Sequence, residues 1–198
     1  MNPNESALYE GVGRFIVAFA GAEAGVHLIA RKLSRLDDEI ARALFNGMRL
    51  SDMTDRTRSL LRIKPEDGTA PVLTEEATAI VKACLDQLGL IAGHRHNLVH
   101  RVTGCGAIGI FVTNILSSKS FEHSEFEIYA LSEFTAMTED CLDIFNQLDR
   151  LATNNRVNEA LKFGIPTWRY RPSAPASQNP KRRGVPGSPP RPPEPSQA

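Results

Sequence analysis

The stretch TEEATAIVKACLDQLGLIAGHRHNLVHR, residues 74 to 101, decides how this chain is read. Its apolar positions fall at Ala77, Val81, Cys84, Leu88, Ile91, Leu98 and, just beyond, Val102, in alternating steps of four and three. That spacing puts the side chains on one side of a helix with about 3.6 residues per turn, so it predicts one long helix with a buried stripe. Thr74 is its expected N-cap, and Glu75 and Glu76 suit the positive end of the helix dipole. Gly104 and Gly106 are expected to end the helix as left-handed caps. Arg95 breaks the stripe at a step where its counterparts are apolar or cysteine. A buried guanidinium is costly unless it is paired or faces a site.

Outward from this segment, apolar periodicity predicts further helices. A first runs from about Ser6 to Leu33, with Phe15, Ile16, Phe19, Val26, Ile29 and Leu33 on its core side. Shorter ones cover Asp37 to Phe45 and Ser51 to Ile63, before the loop KPEDGTAPVL. After residue 106 come AIGIFVTNIL and FEIYA, β-branched and aromatic segments that read as a small hairpin. A last helix spans about Ser132 to Asn154, with Phe134, Met137, Cys141, Ile144, Leu148 and Leu151 in register. The expected fold is mainly α: an antiparallel helical bundle with a small β-hairpin insertion before the last long helix. It occupies residues 1–160, followed by a C-terminal extension, 161–171, in which Phe163 or Trp168 packs on the body.

Residues 172–198 form the third region. Nine of the thirteen prolines lie there, without apolar periodicity, so this segment is expected to be a disordered, partly polyproline II tail. Its PPRPPEP run reads first as solvated chain and only second as an SH3-type ligand. The tail carries four basic residues and one acid, net +3, so in a chain of zero formal charge the body carries about −3. A slightly acidic body offers no broad counterion surface to a polynucleotide, and any contact with one must be local.

The three cysteines, Cys84, Cys105 and Cys141, lack CxxC spacing and read as reduced thiols of a cytoplasmic protein. The N-terminus has acids where an export signal would be basic. The apolar run from Val12 to Ala30 is broken by Arg14, Glu23 and His27, which argues against a membrane span. Its Gly21 and Gly25 read as close packing between helices.

GHRHNLVHR, residues 93 to 101, holds three of the five histidines. Within it, Arg95, His96, Asn97, Leu98, Val99 and His100 resemble the R-x4-6-H motif of HEPN domains, with four intervening residues. In that family the motif lies near the end of the penultimate main helix of a bundle. The architectural resemblance covers roughly residues 8 to 155. It implies metal-independent RNA cleavage, in which a ribose 2′-OH attacks the adjacent phosphate. Arg95 and His100 are then the catalytic pair, the arginine clamping phosphate and the histidine moving protons near its ordinary pKa of about 6.5. His96 and Asn97 are accessory candidates, and Glu23 is the candidate partner that orients Arg95.

Five residues at about 100° each set Arg95 and His100 roughly 140° apart around the helix. Together with the family's habit of pairing through this region, that spacing favours a homodimer with a composite cleft. His96 and His100, four apart, share a face. As a metal pair they would need further ligands, with Cys105 the only nearby candidate, so neither metal nor cofactor is expected. The leading expectation is an endoribonuclease, a toxin or defence effector with RNA, an antitoxin or another protein as partner. The alternatives are a non-catalytic HEPN module binding nucleotide, RNA or protein, and a metal-binding helical domain.

Overall fold

The computed structural model describes residues 3–64, 72–106, 109–114, 126–153 and 164–172. The expected tail from residue 173 onward and Phe163 lie outside them. Among the described residues, five helices and three strands follow in the order α1 (Pro3–Ser34), α2 (Asp38–Phe45), α3 (Leu50–Leu60), α4 (Glu75–His100), β1 (Val102–Gly106), β2 (Gly109–Thr113), β3 (Phe126–Tyr129) and α5 (Leu131–Ala152). The chain is thus mainly helical, with one small sheet.

The bundle is organised around α1 and α5, which pack on each other more extensively than any other pair. Phe15, Phe19, Ala22, Val26 and Ile29 of α1 are buried, as are Phe134, Met137, Cys141, Ile144 and Leu148 of α5. Burial of each large side chain of this kind is worth about 1.5–3 kcal/mol before entropy is counted. Gly25 permits the close approach, since a Cβ there would lie 3.3 Å from Leu148 Cβ and 3.4 Å from the Phe145 backbone. Gly21, by contrast, borders open space. At the far end of the pair, Lys32 Nζ donates to the Leu151 carbonyl at 2.8 Å, satisfying an otherwise unpaired acceptor of the last turn of α5. Among the described residues α1 is the one helix long and apolar enough to cross a membrane.

Thr74 caps α4 as expected, its side chain accepting from the Ala77 amide at 3.2 Å. The C-terminal end differs from expectation. The helix stops at His100, Arg101 is extended, and Gly104 and Gly106 belong to β1 rather than to a cap. Two physical causes act here. The Thr103 hydroxyl lies 3.2 Å from the Leu98 carbonyl and donates to it, replacing a helical amide. Gly104 pairs with Phe111 across the strands, where any Cβ would collide with the Phe111 ring.

The hairpin is correspondingly larger than expected, an antiparallel three-stranded sheet in the order β1-β2-β3. Val112 opposes Thr103 on one side and Glu127 on the other. Ile110 and Val112 of β2 face the core, while Phe111 between them is exposed on the opposite face.

Residues 164–172 form a strap over α4 and α5. Trp168 packs partly buried against the core, as expected, but the main anchor is Tyr170, which is 4% exposed. Asp140 of α5, fully buried, accepts from the Arg169 amide at 2.8 Å, the Tyr170 amide at 2.9 Å and Gln87 Nε2 at 2.8 Å. Gln87 also donates to the Tyr170 carbonyl at 3.0 Å. A buried carboxylate is tolerable only with such a set of donors.

Candidate functional site at the end of the fourth helix

The last two turns of α4 present the expected residues on different sides. Arg95 is half-buried on the inner side, its guanidinium carbon 5.8 Å from the centre of the Phe19 ring of α1. Its Nε is sealed from solvent without a hydrogen-bond partner. Among the described residues no ion pair joins Arg95 to Glu23. The field of Glu23 falls instead on His27, one turn on, and on Cys141 of α5.

His96 and His100 are exposed and lie together, their ring centres 4.7 Å apart and the planes inclined by 45°. The expected shared face is therefore present, and Arg95 stands apart from it within one chain. That face continues toward the start of α4 through Gly93 and Gly89, above which the space is open. Among the described residues no group of three or more His, Cys, Asp or Glu side chains is disposed to hold a metal ion.

Asn97 is held by the sheet: its Nδ2 donates to the Glu127 carboxylate at 3.1 and 3.2 Å. Glu127 opens a polar chain that sequence reasoning missed. The Tyr129 hydroxyl donates a hydrogen bond to Glu127. His94 Nδ1 lies 2.8 Å from that same hydroxyl, and His94 Nε2 lies 2.8 Å from the Tyr170 hydroxyl.

The direction of the chain follows from donor chemistry. A hydroxyl can only donate to a carboxylate, so the Tyr129 hydrogen goes to Glu127 and its oxygen accepts from His94 Nδ1–H. The Nε2 lone pair then accepts from Tyr170. His94 is thereby held as one neutral tautomer. Burial pushes its pKa below the ordinary histidine value, against the opposing fields of Glu127 and Glu133. Tyr129 and Tyr170 are pushed up, Tyr170 to about 12, each first by burial, then Tyr129 by Glu127 and Tyr170 by Glu133 and Glu127. The network therefore holds its protons at neutral pH and ties the last turns of α4, through His94 and Asn97, to the sheet and the strap.

One signal for it was present in the sequence. Gln87 and His94 are seven residues apart, hence on one side of α4 at the edge of the apolar stripe, and both grip Tyr170. Their partners lie 35 and more positions further along the chain, out of reach of local pattern.

Comparison with protein-family models, with curated proteins and with solved structures finds no match. The class defined by fold and site is a helical bundle with a small antiparallel sheet and an Arg/His-bearing helix end.

Proposed function

We propose that this chain is a metal-independent endoribonuclease of the HEPN type, working in the cytoplasm as a homodimer. The observation that carries the reading is the pairing, on one helix end, of an exposed imidazole, His100, with a half-buried guanidinium, Arg95, that has no carboxylate partner among the described residues. A permanently charged planar donor suits the negative charge gathering on a phosphorane, and a solvent-exposed imidazole suits proton transfer. In this mechanism the ribose 2′-oxygen bonds to phosphorus as the 5′-oxygen leaves. His100 moves a proton to or from one of those oxygens while Arg95 holds the non-bridging ones.

The two residues lie on different sides of α4, so the cleft combines Arg95 of one copy with His100 of its partner. The open face over Gly89 and Gly93, with Leu90 51% and Val99 48% exposed beside it, supports such a pairing. A toxin or defence role, held in check by a protein partner, is the setting we assign.

The Phe19 contact favours one other reading, in which Arg95 braces α4 on α1 and the domain only binds nucleotide, RNA or a protein. RNA incubated with wild-type protein, Arg95→Ala and His100→Ala in EDTA separates the two. Cleavage by the wild type alone supports the nuclease; intact RNA from a folded, dimeric wild type removes it. Light scattering reports the dimer in the same samples.

A further inference from the structure

We propose that the cleft between the C-terminal ends of α1 and α3 and the first turns of α4 binds a single-chain amphiphilic anion, an aliphatic chain ending in a carboxylate or a phosphate. The cleft has a volume of about 930 Å³, inside the range of small-molecule sites, about 300–1,000 Å³. Its floor is aliphatic. Leu33 and Leu73 are buried, Leu60 and Leu61 half-buried, and Ile63 is 68% exposed at the mouth. An apolar floor of this shape is left wet unless something aliphatic covers it.

The rim has the opposite character. Arg35, Arg62, Lys64 and Lys82 line it, with Glu75 the one acid among the described lining residues. This local excess of positive charge stands on a body whose net charge is negative, so it is not a consequence of composition. Arg62, Lys64 and Lys82 make no ion pair among the described residues, whereas Arg14, Arg42, Arg58 and Arg169 each do. Arg35 reaches the rim through a left-handed backbone, φ 54°, a conformation that costs energy in any residue carrying a Cβ.

Floor and rim together select the ligand. A neutral lipid would leave Arg62, Lys64 and Lys82 without countercharge, and inorganic phosphate would leave the floor uncovered. A polynucleotide would seek stacking platforms, and none of the described lining residues is aromatic. The cleft uses α4 from Glu75 to Lys82, so at about 1.5 Å per residue it lies roughly 20 Å along the helix from Arg95. It is a separate site.

Calorimetric titration of the full chain with sodium dodecanoate and with dodecyl phosphate, each below its micelle concentration, tests the proposal. Saturable one-to-one binding is expected, on the order of a hundredfold tighter than for octanoate because four more methylenes are buried. The exposed double variant Arg62→Glu/Lys82→Glu, checked for an unchanged melting temperature, should weaken binding at least about tenfold. Absence of binding, equal affinity for octanoate, or indifference to the charge reversal overturns it. Capture on phosphatidylcholine vesicles containing phosphatidic acid, without binding of dodecanoate, would assign the cations to a membrane surface and also overturn it. His100→Ala should bind dodecanoate like the wild type, so failure of the nuclease reading leaves this result distinct.

Discussion

Nε2 of His94 lies 2.8 Å from the hydroxyl of Tyr170, tying the end of α4 to a strap 76 positions further along the chain. The bond matters because the imidazole is already engaged through Nδ1 with Tyr129. A helix, a strand and the strap therefore meet on one ring, and the next residue in sequence is Arg95, the one assigned to phosphate.

Removing one hydroxyl at a time should resolve the order of importance in this chain. Tyr170→Phe keeps the ring and loses one neutral hydrogen bond, at a cost of about 1 kcal/mol. Tyr129→Phe should cost about 2 kcal/mol, because it strips a partner from His94 Nδ1 and from Glu127 at once. Urea midpoints of the two variants check both values, and equal losses would count against the directed chain.

The same imidazole sets a pH dependence. The pKa of His94 is lowered in the folded state, so the unfolded chain binds the extra proton first. The contribution is complete above the ordinary value of 6.5 and is lost as pH falls from there through the folded pKa. His27, also lowered chiefly by burial, acts in the same direction. Stability measured by urea titration should fall between pH 7 and pH 5, and His94→Gln should flatten the slope without abolishing it. An unchanged slope would show that His94 titrates normally.

Asp140 should prove the anchor of the strap. Replacement by Asn puts an amide where three donors converge, leaving at least one buried N–H unanswered, a loss of about 3 kcal/mol. Hydrogen exchange should show amides 169 and 170 losing protection ahead of the core of α5. Concerted loss throughout the chain would mean that the strap is no separate unit.

How much of this was legible beforehand depends on the range of the interaction. Thr74 and the apolar stripe of α4 are local features, and the helix forms where their spacing says. The helix end was misread because Gly104 has two uses, a left-handed cap or a close approach, and only the distant Phe111 decides between them. Arg95 stands out as a break in the apolar stripe, and His100 through its place in the histidine-rich segment 93 to 101. His94 did not, because its meaning comes from Tyr129 and Tyr170, which the fold brings to it. Asp140 looked like an ordinary polar residue on α5 until the strap covered it.

Arg95 offers a prediction in which stability and activity part company. Its Nε is buried without a partner and its stem lies on Phe19, so Arg95→Met keeps the apolar contact and removes the unmet polar group. Thermal unfolding should be unchanged or shifted upward by a few degrees, while RNA cleavage is lost. A large fall in melting temperature would make Arg95 a brace rather than a clamp.

The cysteines give a probe of native packing that needs no assay of function. Cys84 and Cys141 are fully buried, and burial, aided by the nearby carboxylates Asp143 for the first and Asp140 for the second, pushes each thiol up to about 12. At pH 8 about one in ten thousand of such thiols is ionised, and the thiolate is the species that reacts. Cys105, on β1, is only partly buried. Native protein treated with iodoacetamide should therefore gain one label quickly, at Cys105 by peptide mass, with the other two following only on unfolding. Tyr170→Phe should leave this pattern intact, since the core between α1 and α5 does not depend on the strap. Rapid labelling of Cys141 in that variant would show that strap and core open together.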